Sequence, residues 1–213
     1  MEVKSFPSGI FGATTYLVFD KKSNEAVLID CTCCVDEIKK FIEKEKLNLK
    51  YILITHGHFD HVYCISKMKK YFPLAPIMLH KDDIELLNQV SLQCSMEEIA
   101  QIEVPCADAL VDEKTKNLNI GGIQIKVLCT KGHSKGCVCY LIDDMLFSGD
   151  TLFKESYGRC DLFGGDFEEI KHSIKDKLFI LNDNIKVFPG HGNSTTIGHE
   201  KKCNPIVFDN VSG

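Results

Sequence analysis

The chain lacks an excess of basic charge: among 213 residues, 25 Lys and Arg stand against 30 Asp and Glu, a formal net charge of −5. A protein dedicated to duplex nucleic acid clusters Lys and Arg to displace counterions, so that role starts disfavoured. No apolar run approaches the roughly 20 residues needed to cross a bilayer. The opening Met1-Glu2-Val3-Lys4-Ser5-Phe6 has no basic flank followed by an apolar stretch, so no secretory leader is visible. Internal repeats, low-complexity tracts and linker-like stretches are missing too, which predicts one domain over residues 1–213. Cysteine, by contrast, is plentiful. Its eleven residues are an odd number and fall below the density of a disulfide scaffold. Without a leader, the expectation is reduced thiols in a cytoplasmic protein. The Cys31-Thr32-Cys33-Cys34 cluster offers thiol donors but completes no common zinc pattern.

Hydrophobic periodicity supplies the elements. Thr14 to Phe19 and Ala26 to Ile29 read as strands around the turn Lys21-Lys22-Ser23-Asn24. Ile38, Phe41 and Ile42 form one face of an amphipathic helix, with Asp36, Lys39, Lys40 and Glu43 on a solvated face. Tyr51 to Ile54 reads as a buried strand, and Ile65, Met68 and Phe72 as the stripe of a further helix. Ile120 to Leu128 is strand-like and broken by Gly121-Gly122, a hairpin turn. Val138 to Ile142 and Met145 to Phe147 form the next pair, and Cys137 and Cys139 alternate with Val138 and Tyr140 as on one face of a strand. Asp166 and Glu169 have capping-box spacing before a helix with the stripe Ile170, Ile174, Leu178, Leu181. Lys186-Val187-Phe188 is a last strand. Strands in both halves, each set followed by helices, predict packed sheets covered by helices.

The strongest local signal is Thr55-His56-Gly57-His58-Phe59-Asp60-His61, directly after a buried strand. Imidazole and carboxylate are natural ligands for zinc, iron or manganese. So short a segment points donors in more than one direction and has the means to serve two ions. His133, Asp150 and His191 repeat the context, each beyond an apolar run and flanked by or near glycine. Singly, a histidine after a strand is more often structural; together the seven side chains are what two adjacent ions require. His80, His172 and His199 are not needed for that set. Cys160 is a thiol of unassigned role, and Phe153, Tyr157 and Phe163 serve either a cleft or the core.

His-x-His-x-Asp-His, followed by Gly-His, Gly-Asp and Pro-Gly-His, resembles the metallo-β-lactamase superfamily over nearly the whole chain. Gly158-Arg159-Cys160-Asp161-Leu162, Gly164-Gly165-Asp166 and the tail from Pro189 to Pro205 look most like its glyoxalase II (hydroxyacylglutathione hydrolase) group, in short form. The resemblance implies an α/β fold, an αββα sandwich of two mixed sheets with helices outside, bearing a two-metal site at one edge. It implies that His56, His58 and His133 hold one divalent ion, that Asp60, His61 and His191 hold the other, and that Asp150 bridges them. Zinc is the first expectation; iron or manganese also suits these donors. The implied reaction is hydrolysis of an S-acylglutathione such as S-lactoylglutathione by a metal-bridging hydroxide. Asp60 and Asp150 would be catalytic and Arg159 would bind the thiol carrier, unless Asp161 claims Arg159 as an ion pair. The implied partner is a small-molecule thioester, with neither nucleic acid nor membrane. Alternatives on the same fold are a mononuclear-iron persulfide dioxygenase, a lactone hydrolase and an RNA-processing nuclease. True β-lactamases of the superfamily lack a bridging aspartate, which disfavours antibiotic hydrolysis. Cys31-Thr32 stands where relatives run Pro-Gly, so the loop there is expected to differ in shape.

Overall fold

A computed structural model describes residues 1–208. The first half of the chain builds one six-stranded sheet in the order β1 (Glu2–Phe6), β2 (Thr15–Asp20), β3 (Glu25–Ile29), β4 (Asn48–Leu53), β5 (Ile77–His80), β6 (Ala109–Val111). The pairs β1–β2 and β2–β3 are antiparallel, and β3 to β6 run parallel. The parallel crossovers carry helices, as such connections must. These are α1 (Val35–Lys44), α2 (Phe59–Val62), α3 (Ile65–Tyr71), α4 (Ile84–Asn88) and α5 (Val90–Met96).

The second half builds a matching sheet from β7 (Asn117–Ile120), β8 (Ile123–Cys129), β9 (Val138–Ile142) and β10 (Met145–Gly149). After a small hairpin, β11 (Leu152–Phe153) with β12 (Ser156–Tyr157), and the helix α6 (Phe167–His172), the chain returns as β13 (Lys186–Pro189). It finishes with β14 (Thr195–Thr196) and α7 (Ile197–Cys203), in the sheet order β14-β13-β10-β9-β8-β7. The β7–β8 turn is Gly121-Gly122, both at positive φ (59° and 91°), the geometry a tight two-residue hairpin demands.

Period-2 alternation divides the central strands between two cores, while β8 turns Gln124 and Lys126 to solvent. Tyr16, Val18, Val27 and Ile29 face Ile125, Val127, Tyr140 and Phe147 across the gap between the sheets. Their neighbours Leu17, Phe19, Ala26 and Leu28 face outwards onto Ile38, Ile42, Ile65 and Met68 of α1 and α3. On the far side, Cys139 and Leu146 meet Ile170, Ile174, Leu178 and Ile197. The result is the four-layered helix–sheet–sheet–helix sandwich expected from the resemblance. Asp166 caps α6, its carboxylate accepting from the Glu169 N–H at 2.9 Å. The helix continues as a wide turn over Ser173–Leu178 that keeps Ile174 and Leu178 buried.

β1, β6 and the pair α4–α5 carry no strong periodicity, and α7 starts at a local cap, Thr196 Oγ1 accepting from the His199 N–H (3.2 Å). All eleven cysteines are free thiols. No helix among the described residues is long and apolar enough to cross a membrane.

Candidate metal centre

The loops that follow β4, β8, β10 and β13 are laced together at one edge of the sandwich. Val138 N–H donates to Thr55 O (2.9 Å), Gly190 N–H to Gly149 O (2.8 Å), and Thr14 N–H to Gly190 O (2.8 Å). These loops bring all seven predicted side chains together. Their donor atoms form three groups, each within 4.8 Å: His56, His58 and His133; His56, His61 and Asp150; Asp60, His61 and His191. The groups share His56 and His61. Asp150 stands between the two triads, with Oδ1 3.3 Å from His61 Nε2 and Oδ2 3.7 Å from His133 Nε2 and 3.4 Å from His191 Nε2. Gly190 permits this approach, because a Cβ there would collide with Asp150 Oδ1 and lie 2.6 Å from His61 Cε1.

The backs of four rings are held. Nδ1 of His56 pairs with Thr55 Oγ1 (3.1 Å), and Nδ1 of His61 with Asp30 Oδ2 (2.7 Å). Nδ1 of His133 pairs with the Arg159 carbonyl (2.7 Å), and Nδ1 of His191 with the Phe11 carbonyl (3.1 Å). That anchoring aims the four Nε2 atoms inwards, the arrangement by which outer partners orient metal-binding imidazoles. His58 is turned the other way and presents Nδ1, 2.9 Å from His133 Nε2.

The donor set fits a pair of cations. Buried His56 Nε2 and Asp150 Oδ1 have no hydrogen-bond partner among the described residues. Leaving such atoms unpaired costs roughly 1–3 kcal/mol each, a cost that coordination would remove. Burial, reinforced by His61, His133 and His58, pushes the His56 imidazole well below its usual pKa, and burial with His133 brings His58 down to about 3. Burial pushes the carboxyls of Asp60 and Asp150 upwards, but neighbouring His61 and His191 outweigh it and hold both below the usual range. In turn Asp150 and Asp60 outweigh burial and raise His61 well above, and His191 above, the usual imidazole range. These two rings would therefore release protons on binding a cation, which takes neutral imidazoles and ionised carboxylates.

Two acidic residues that the sequence reading passed over organise this edge. Asp30, at positive φ (55°) after β3, accepts from Thr55 N–H and Thr55 Oγ1–H, each 2.8 Å, besides engaging His61. A carboxylate directly beyond a buried strand was the same signal that picked out Asp150. Asp83 accepts from Gly57 N–H (2.9 Å), Ser134 Oγ–H (2.7 Å) and Gly136 N–H (2.6 Å), so one carboxylate ties the His56–His61 loop to the His133 loop. No local pattern announced it.

Cys31-Thr32 makes a tied loop: Cys31 N–H donates to His61 O (2.8 Å), and Thr32 Oγ1 lies 2.9 Å from Thr15 Oγ1. Arg159 forks onto Asp161 with two 2.8 Å bonds while its side chain borders the cleft. His172 pairs with Asp176 and His199 with Glu155. His80 joins Asp82 and Glu113 in a further cluster, but Lys81 and Lys131 already neutralise those carboxylates. A cavity of about 470 Å³ opens over the centre, lined by His58, Asp60, His133, Asp150 and His191 and walled by Phe153, Tyr157 and Phe163.

Comparison with known proteins shows the family. Hydroxyacylglutathione hydrolase GloC of Haemophilus influenzae is 32% identical over 97% of this chain and 98% of its own. A crystal structure described as the BLEG-1 B3 metallo-beta-lactamase superposes with a TM-score of 0.89 at 32% identity, covering 97% of this chain and 99% of that one. A protein solved in a di-iron-bound form gives 0.82 at 31% identity, over 94% and 98%. The metallo-beta-lactamase superfamily model matches residues 9–191, from the loop carrying Phe11 to the last predicted donor, and the chain belongs to that superfamily.

Proposed function

We propose that the protein is a metal-dependent thioester hydrolase of the hydroxyacylglutathione hydrolase type, acting on S-acylglutathiones. The observation that carries this reading is Asp150, held between two donor triads at the floor of a substrate-sized cavity. Similarity to GloC supports the choice of substrate class. Bound by these donors, two divalent cations would supply a nucleophile at neutral pH, lowering the pKa of water from about 15.7 towards 7, and would polarise a carbonyl.

The chain's own groups do the rest. Asp60 Oδ2 sits 3.2 Å from His191 Nε2 and faces the cavity, placed to accept a hydrogen bond from an attacking hydroxyl and orient it. Asp30, Thr55 and the carbonyls of Phe11 and Arg159 fix the imidazoles, so the reacting groups need not reorganise. A thiolate whose conjugate acid has a pKa near 8.5 departs without a strong general acid, which suits a site built without a Ser-His-Asp triad. The partner in this reading is a small molecule. Zinc is the first choice of metal, with iron supported by the di-iron relative.

Likeness to a protein described as a B3 metallo-beta-lactamase favours a second reading, β-lactam hydrolysis, despite Asp150. One experiment separates the readings: metal content by plasma emission, then turnover of S-lactoylglutathione, a chromogenic cephalosporin and glutathione persulfide. About two metals per chain with thioester turnover is expected, and Asp150→Ala is expected to lose at least a hundredfold in kcat/KM. One iron with oxygen uptake, or cephalosporin turnover alone, overturns the proposal.

A further inference from the structure

The cavity over the metal centre is walled on one side by side chains that water should not favour. Of the thirteen large hydrophobic residues exposed among the described residues, Phe11, Leu92, Met96, Leu162 and Phe163 all border this one cavity. α5 explains two of them. It turns Val90 and Cys94 into the core and leaves Leu92 and Met96, one helical turn apart, 58% and 75% exposed at the cavity mouth. Phe11 also lines the cavity, at φ 54° and 64% exposed, its ring edge-on to Phe59 at 5.9 Å. An apolar cluster of this kind around a pocket marks a place where apolar ligand surface is buried.

Charge points the same way. Arg159, the chain's single arginine, is the one Lys or Arg among the described lining residues, and Asp161 holds its guanidinium by two 2.8 Å bonds. Glu97 adds an anion to the same rim. The wall therefore offers little to a small polar hydroxyacyl group and much to methylenes.

We propose that the acyl group this site takes is an unbranched apolar chain of medium length, lying against Leu92, Met96 and Phe11 with its carbonyl at the centre. The chain is the acyl arm because thiols that carry acyl groups are themselves polar. This rests on the thioester reading above and names its substrate class.

The test measures kcat/KM of the metal-loaded full chain on S-lactoyl-, S-acetyl-, S-butanoyl-, S-hexanoyl- and S-octanoylglutathione. Calorimetric binding of the uncleavable S-octylglutathione and S-methylglutathione accompanies it. Each buried methylene is expected to add roughly fourfold, so the octanoyl ester outruns the lactoyl ester more than tenfold and S-octylglutathione binds correspondingly tighter. Leu92→Ser combined with Met96→Ser flattens both trends, whereas Leu74→Ser, at a residue 94% exposed and away from the cavity, does not. Turnover of the whole series at equal rates, preference for the lactoyl ester, or a slope that survives the double substitution overturns the apolar chain while leaving a thioester hydrolase. No turnover of any ester by protein holding two metals overturns both.

Discussion

At the scale of single residues, the site depends on carboxylates that touch no substrate. Asp30 holds the Nδ1 side of His61 and both donors of Thr55. Losing such an outer partner typically costs 10–100-fold in metal affinity, so Asp30→Ala is expected to weaken retention by about that factor, measured by competition with a chromophoric chelator. Asp83 ties two ligand loops through Gly57, Ser134 and Gly136 and is buried. Burial raises its carboxyl above the usual range even against those three donors. Asp83→Ala would strand three buried donors and is expected to cost roughly 3–5 kcal/mol in urea unfolding. A loss below 1 kcal/mol would show that the loops hold themselves. Neither residue belongs to a short motif. Asp83 finds its partners 26, 51 and 53 positions away, beyond the reach of any local reading.

Among the elements, those with strong periodicity were legible and those without were not. The stripe Ile170, Ile174, Leu178 and the capping residue Asp166 were readable because both are local: one follows helical spacing, the other a side chain bonding three residues on. Asp166→Ala is expected to remove about 1 kcal/mol, visible as a fall of roughly 2–4 °C in Tm. β6 is three residues long and pairs with β5 across an intervening stretch that includes two helices. Its pairing, not its composition, makes it a strand. The same holds for α5, whose outward Leu92 and Met96 break amphipathic logic because the cavity lies where solvent would be expected.

The whole molecule presents its metal donors as one preassembled edge, in which both halves of the chain take part. Folding therefore builds the site, and a ligand that binds only the folded form stabilises it by mass action. At metal concentrations a hundredfold above Kd the gain is about 2.7 kcal/mol, so adding zinc to chelator-treated protein is expected to raise Tm by roughly 5–10 °C. Calorimetric scans with and without metal check this; coincident transitions would mean that the edge does not bind.

The sequence alone determined the donor chemistry and the layer arrangement. Residue type, glycine-flanked loops and strand alternation are local properties, written in neighbouring positions. Only the tertiary structure decided how those donors are held: that Asp30 and Asp83 lock the loops, and that α5 lends the cavity an apolar wall. These depend on contacts between segments far apart in the chain, whose distances are set by how two sheets stack.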